Sequence, residues 1–226
     1  MEYAQMMKDY KNNVSYHFSP RKNRKAIQKN GLIGGARSDI EILAASAYVD
    51  AHRSRNAPKD FYKTTAIYSY LEFSYIYSGY EEKEYSEEEI KIIGDYYETD
   101  IYAIDLTGID WYIGSIGISN ALLMYINIES WGSQEKELHQ AALEYWHNLY
   151  SKEEFLSASK KVQKTDENWG LDEILIPRKV GPEKVTLIGT KKGNIFYPKP
   201  VIKEFIKEEY KQQTKEIYKW LKKKSK

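Results

Sequence analysis

The hydrophobic and polar positions of the chain fall into short β-type runs separated by longer segments with helical periodicity. The β-type runs are rich in β-branched and aromatic residues, which favours strands. Six strands are predicted on this basis, at residues 14–18, 64–70, 100–106, 171–177, 184–189 and 194–198. The last three follow one another closely along the chain.

The segments between these strands carry helix start and stop signals. Ser19 and Pro20 resemble an N-cap followed by proline at the first helical position, and Gly31 would end that helix. Three capping boxes predict further helix starts at Ser38–Glu41, Ser86–Glu89 and Ser151–Glu154. Residues 119–150 are predicted to be mostly helical, and an amphipathic helix is predicted to fill residues 199–226.

Strands and helices mix without a strict βαβ alternation, which favours the α+β class over a doubly wound parallel sheet. The 226 residues show no internal repeat and no low-complexity linker. We therefore expect one domain over residues 1–226, with a core at 14–198 and the C-terminal helix at 199–226.

Composition narrows the range of functions only slightly. There are 34 basic and 33 acidic residues, so the net charge of +1 creates no general attraction to nucleic acid or to a membrane surface. The chain has no cysteine, no apolar leader and no run of membrane-spanning length, and we expect a soluble cytoplasmic protein. The acidic stretch at residues 81–89 is interpreted as a solvated face.

Several common chemistries lack their motifs. The chain has no glycine-rich dinucleotide or P-loop signature, no HExxH, no GxSxG and no cysteine nucleophile. Glu144 and His147 form a single Glu-x-x-His, whereas a carboxylate-bridged di-metal site needs two, so no metal is expected. The remaining candidates for a functional site are far apart in the sequence. They are His17 in the first strand, tyrosines in and after a middle strand, and Glu173 near the start of the strand at 171–177.

Three segments, in this order along the chain, resemble landmarks of ADP-ribosyltransferase-like domains. They are YHFSPRKNRKAIQKNGL (16–32), AIYSYLEFSYIYSG (66–79) and LDEILIPRKVGPEKVTLIG (171–189). The first is similar to an opening strand with Tyr-His followed by a helix and Gly-Leu. The second is similar to a strand with an Ile-Tyr pair, and the third resembles late segments of toxin-like and phage members of this superfamily.

The resemblance implies a split, mostly antiparallel α+β core with a cleft for NAD. It assigns a His-Tyr-Glu triad to His17, Tyr68 and Glu173. His17 would bind ribose hydroxyls, and Tyr68 or Tyr75 would stack on the nicotinamide ring. Ser19 matches the small hydroxyl position of the family, and Arg37 is the remaining residue assigned to NAD binding.

A glutamate suits the implied reaction because cleavage of the ribose–nicotinamide bond develops positive charge on the sugar. Neutral nicotinamide leaves without a general acid, so one rigid carboxylate, Glu173 with Asp172 as its alternate, can stabilise the transition state. Phe18 replaces the glycine of many relatives. Leu171 stands where the arginine-directed branch has Gln or Glu, which disfavours arginine as the acceptor.

The resemblance leaves several functions open. The favoured one is transfer of ADP-ribose from NAD to a protein or nucleic acid, as in a toxin or phage effector. RNA 2′-phosphotransfer, NAD hydrolysis and a catalytically silent protein-binding module are the alternatives. The C-terminal helix could pack on the core, dimerise, or bind an antitoxin or another protein.

Overall fold

The structure of the protein, a computed structural model, describes residues 14–35, 40–55, 57–70, 98–126, 134–157, 171–192 and 195–198. Its strands are β1 (Val14–Pro20), β2 (Leu32–Ile33), β3 (Ala66–Tyr70), β4 (Glu98–Asp105), β5 (Tyr112–Ser115), β6 (Tyr150–Ser151), β7 (Leu171–Pro177), β8 (Lys179–Val180), β9 (Val185–Lys192) and β10 (Ile195–Pro198). Its helices are α1 (Arg24–Asn30), α2 (Ile40–Ala51), α3 (Ile116–Tyr125), α4 (Glu135–His147) and α5 (Lys152–Ser157). Among these residues, none of the helices combines the length and the apolarity needed to cross a bilayer.

Eight strands form one sheet in the order β10-β9-β4-β1-β3-β7-β5-β6, and β2 pairs with β8 in a separate two-stranded ribbon. Every pair of neighbouring strands in the large sheet is antiparallel. The expected α+β class with a mostly antiparallel sheet is therefore confirmed. The strands β1, β3 and β7, which carry His17, Tyr68 and Glu173, are consecutive in the centre of the sheet.

Helices cover both faces of the sheet, and each face has its own hydrophobic core. On one side, here called the α1 face, buried strand residues pack with α1 and α5; the cluster includes Ile27, Ile67, Tyr102, Ile104, Phe155 and Ile174. On the other side, the α3 face, strand residues pack with α2, α3 and α4; that cluster includes Ala45, Val49, Ala66, Ile118, Leu122, Ala142 and Leu175. Because successive strand residues alternate between faces, β3 and β7 each contribute to both cores.

Among the described residues, the register of β1 with β3 consists of one pair, Tyr16 with Tyr70. On its other side, β1 is paired with β4 along its whole length, from Val14 with Asp105 to Pro20 with Thr99. Within the described ranges, β1 therefore pairs with β4 over its whole length and with β3 at a single position.

Most of the predicted strands agree with the structure, and β7 matches its predicted bounds. The predicted helix start at Ser19 and Pro20 is wrong: the strand continues through Pro20, a 3-10 turn spans Arg21–Asn23, and α1 begins at Arg24. The strand is prolonged because Ser19 and Pro20 stay paired with β4. The capping box at Ser151 is confirmed, since Ser151 N–H donates to Glu154 and Glu154 N–H donates to Ser151 Oγ.

The region predicted as a helix over residues 119–150 contains α4 and most of α3, with 127–133 outside the described residues. The prediction missed β5, which precedes α3 and inserts between β7 and β6. The aromatic helix predicted after β3, the acidic stretch at 81–89 and the C-terminal helix at 199–226 lie outside the described residues, as do the capping boxes at Ser38 and Ser86.

Gly31 ends α1 as predicted. Its backbone φ is 76°, a left-handed conformation that glycine adopts without strain, and its N–H donates to the carbonyl of Ile27 over 2.8 Å. A Cβ at this position would stand 1.9 Å from the carbonyl oxygen of Val180 in β8. The glycine therefore permits both the turn and the close approach of the small ribbon.

Candidate functional site

Glu173 lies in the middle of the sheet, on β7, and its side chain belongs to the α3 face. It is in register with Tyr70 on β3 and with Gly114 on β5. Only 5% of Glu173 is exposed. A carboxylate in such a place needs hydrogen-bond donors or a cation, because removing its charge from water is costly.

Three donors satisfy this carboxylate, and all of them reach Oε2. Ser119 Oγ from α3 donates over 2.9 Å, Lys63 Nζ over 3.3 Å, and Tyr145 Oη from α4 over 3.4 Å. The side chains of Lys63 and Glu173 are 4% and 6% exposed, so they form a buried ion pair. We call Lys63, Ser119, Tyr145 and Glu173 the buried cluster.

Aromatic rings surround the ammonium group of Lys63. Nζ lies 3.9 Å from the ring centroid of Tyr145 and 4.8 Å from that of Tyr68, both suited to cation–π contact. It also donates to Ser119 Oγ over 3.0 Å. Lys63 therefore connects Tyr68 and Glu173, two of the residues that the resemblance assigned to the site.

Tyr145 is fully buried, and this burial, together with the nearby charge of Glu173, holds the pKa of its phenol well above 10. The phenol stays protonated at neutral pH and acts as the donor in its contact with Glu173. Its ring thus contributes a proton donor to the carboxylate and an apolar face to the ammonium of Lys63.

The backbone around Lys63 is held by α2. Lys63 and Thr64 open the 3-10 turn Lys63–Thr65, and their N–H groups donate to the two carboxylate oxygens of Asp50 over 2.8 and 2.9 Å. The hydroxyl of Tyr68 donates to the carbonyl of Lys63 over 3.1 Å and lies 3.2 Å from Ser46 Oγ. The turn, the strand after it and α2 are thereby tied together.

His17 connects to this region through the main chain of Tyr68. Its Nδ1 lies 2.7 Å from the carbonyl oxygen of Tyr68, and since a carbonyl only accepts, Nδ1 carries the proton. In the ladder with β4, His17 is opposite Tyr102, which places its side chain on the α1 face. Tyr68 and Glu173 belong to the α3 face, so the structure brings these two together, whereas it places the side chain of His17 on the opposite face of the sheet, in contact with the main chain of Tyr68.

The remaining predicted site residues have separate positions. Ser19 is buried, shares the α1 face with His17, and accepts a hydrogen bond from Asn23 Nδ2 over 3.2 Å. Asp172 lies on β7, one residue before Glu173. Tyr75 and Arg37 lie outside the described residues, so their assignment to NAD binding stays a prediction.

A second polar cluster lies near Ser19 and was missed by the sequence analysis. Asp100, opposite Ser19 in the ladder, is fully buried and accepts hydrogen bonds from Arg24 Nε over 2.6 Å and from Thr190 Oγ1 over 2.9 Å. Burial raises the pKa of Asp100, but the hydrogen bonds from Arg24 and Thr190 and the charge of Arg24 hold it below its usual value. This cluster fastens the start of α1 to β4 and β9.

No sequence pattern marks the buried cluster. Lys63 stands alone before a strand, where lysine is normally solvated, and Ser119 and Tyr145 look like ordinary helix residues. The one usable signal was the placement of Glu173 within the apolar run LDEILIP, which indicated a carboxylate drawn into the sheet.

A concavity of about 850 Å³ lies elsewhere, against the C-terminal half of α4 and the strands β5 and β6. Its lining includes Tyr112, Glu144, Trp146 and Tyr150, and none of the residues predicted for NAD binding. The site defined by the buried cluster is thus distinct from this surface hollow. No protein-family model, no curated protein and no solved structure matches the chain.

Proposed function

We propose that this protein is a cytoplasmic NAD-dependent ADP-ribosyltransferase that transfers ADP-ribose from NAD to a protein or nucleic acid and releases nicotinamide. The observation that carries the proposal is the pairing of Tyr68 with a rigidly held Glu173 around Lys63 on the α3 face of the sheet. An aromatic face and a fixed carboxylate are the two groups that cleavage of the nicotinamide–ribose bond calls for.

In the proposed reaction, the bond between the ribose C1′ and the nicotinamide nitrogen breaks, and its electron pair leaves with neutral nicotinamide. The sugar becomes oxocarbenium-like, and the carboxylate of Glu173 stabilises this charge. A nucleophilic oxygen or nitrogen of the target then forms the new bond to C1′ and loses a proton. The resemblance assigns Tyr68 or Tyr75 to the nicotinamide ring. His17, which it assigns to ribose, and Ser19 lie on the α1 face, across the sheet from Glu173.

The test is nicotinamide release when the full chain is incubated with NAD and a cell lysate, with transfer followed by labelled ADP-ribose. We expect Glu173→Gln to lower release about 100-fold or more, because it removes the charge that opposes the developing cation. Glu183→Gln is the matched control, since Glu183 is exposed on the 3-10 turn Pro182–Lys184. Equal release by Glu173→Gln and the parent protein would contradict the assignment.

A specific observation favours a second candidate, a catalytically silent binding module on the same fold. Glu173 is almost fully buried and its charge is neutralised by Lys63, as in a structural ion pair. A silent module would show no heat of NAD binding, no NAD-induced rise in melting temperature and no nicotinamide release. Free ADP-ribose without labelled target would instead indicate NAD hydrolysis.

A further inference from the structure

We infer that Lys63, with Ser119, is a positioning residue for Glu173: the two hold one carboxylate oxygen so that the other faces the reacting sugar. This inference rests on the proposed function and adds to it residues that the family resemblance does not assign. Neither residue is expected to touch NAD. Their role is to fix the orientation of the carboxylate that does.

The contacts to Glu173 are one-sided. Within the part of the chain that the structure describes, the side-chain hydrogen bonds to the carboxylate end on Oε2, and they come from Lys63, Ser119 and Tyr145. Three donors arranged around one oxygen restrict rotation about the terminal bond of the glutamate. Oε1 is left as the oxygen with hydrogen-bonding capacity for a ligand.

Lys63 is itself held at both ends. Asp50 fixes its backbone N–H, and the rings of Tyr145 and Tyr68 flank its ammonium. These contacts oppose movement of the lysine and so favour one geometry of the pair. A site arranged before the substrate arrives spends no energy on reorganising during the reaction.

The cost of burying a lone carboxylate explains why a lysine lies beside Glu173, although its positive charge opposes that of the sugar. The ammonium weakens the attraction of Glu173 for a cationic sugar, yet a lone carboxylate with this degree of burial would be too costly to keep in the sheet. Holding the cation at Oε2 keeps the ionised group inside while Oε1 stays available on the other side. The ion pair thus fixes the position of the Glu173 carboxylate but weakens its electrostatic attraction for the sugar.

The experiment measures kcat and KM for nicotinamide release by the full chain with Lys63→Met, Lys63→Arg, Ser119→Ala and Ser119→Thr. We expect Lys63→Met to lower kcat about 100-fold with little change in KM, because a misaligned carboxylate affects the transition state more than NAD binding. Ser119→Ala should lower kcat about tenfold, which corresponds to one lost hydrogen bond of about 1.4 kcal/mol. Lys63→Arg and Ser119→Thr should each recover part of the loss.

The outcomes separate the inference from the proposed function. If the parent protein releases nicotinamide and both Lys63→Met and Ser119→Ala keep kcat within about twofold of the exposed control Lys29→Met, the inference is overturned and the function stands. A parallel change in KM with unchanged kcat also overturns it. If the parent protein releases none, the proposed function fails and takes the inference with it. Should Lys63→Met not fold, the Ser119→Ala and Ser119→Thr pair decides.

Discussion

The imidazole of His17 donates a hydrogen bond from Nδ1 to the main-chain carbonyl of Tyr68 over a distance of 2.7 Å. Within the part of the chain that the structure describes, the register of the two strands it joins is the pair Tyr16 with Tyr70. A side chain thus joins β1 to β3 close to that pair. It also fixes which ring nitrogen carries the proton, and therefore how the ring is oriented.

Replacing His17 should loosen this junction. We expect His17→Ala to lower the free energy of unfolding by about 1 kcal/mol, the usual net value of one hydrogen bond, and to weaken NAD binding as well. Urea denaturation followed by circular dichroism measures the first effect and calorimetry the second. His147→Ala, at the exposed end of α4, is the control and should change neither. Unchanged stability in His17→Ala would show that the bond contributes nothing to the junction.

The buried pair of Lys63 and Glu173 makes a prediction that does not depend on catalysis. Lys63→Met leaves an uncompensated carboxylate in the sheet, and we expect a loss of about 3–5 kcal/mol in the free energy of unfolding. The double variant Lys63→Met/Glu173→Gln should recover at least half of that loss, because no buried charge is then left alone. Denaturant titration of the single and double variants gives the coupling between the two residues.

The control for this comparison of single and double variants is Lys29→Met, which changes an exposed lysine on α1. Its free energy of unfolding should be within about 0.5 kcal/mol of that of the parent protein. Two losses that simply add in the double variant would show that the two charges do not interact.

Asp100 predicts a dependence of stability on acid. The pKa of Asp100 in the folded protein lies below its ordinary value of 3.8, so its stabilising contribution is present above pH 4 and is lost as the pH falls through the folded-state value. We expect the parent protein to exceed Asp100→Asn in stability by about 2 kcal/mol at pH 7, the worth of hydrogen bonds between charged groups. Below about pH 4 this difference should shrink.

Thermal unfolding of both proteins between pH 7 and pH 2.5 tests this dependence. A difference that stays constant down to pH 2.5 would mean that Asp100 does not have a lowered pKa in the folded state. Thr190→Val is a milder companion variant, because it removes one of the hydrogen bonds to Asp100 and keeps the bond to Arg24.

Gly31→Ala should be costly despite its small size. The left-handed φ of 76° costs a residue with a Cβ about 1–2 kcal/mol, and the added carbon would collide with the backbone of Val180. We expect a loss of at least 2 kcal/mol, measured by urea denaturation. Gly108→Ala is the control: φ there is 69°, but a Cβ would meet nothing within 4 Å, so it reports the backbone strain alone. Equal losses would show that the ribbon does not press on Gly31.

The strands at the centre of the sheet could be predicted because their own residues favour them. The runs that became β3, β4 and β7 are β-branched or aromatic, and local sequence suffices for such segments. The start of α1 could not be predicted, because pairing with β4 holds Ser19 and Pro20 in the strand against a strong local N-cap signal. The strand β5 was missed because it is only four residues long and leads directly into α3.

The residues of the candidate site, too, could be predicted from the sequence only in part. Glu173 could be proposed from its position in an apolar run, and Tyr68 from its place in a β-type segment. Lys63, Ser119 and Tyr145 could not, since they meet Glu173 only through long-range packing of a turn and two helices. Sequence alone also expected His17, Tyr68 and Glu173 to share one groove, whereas the structure places His17 on the α1 face and the other two on the α3 face. The face to which each side chain belongs depends on register between strands, which the sequence does not reveal.

Lys63 and Glu173 are separated by 110 positions along the chain, and each is nearly inaccessible to water. Neither charge can be taken out of solvent until the early and late parts of the polypeptide have come together, because a solitary ion in that interior would be prohibitive. Dividing the gene between β4 and β7 should therefore yield two fragments that stay unfolded alone and become ordered only when mixed.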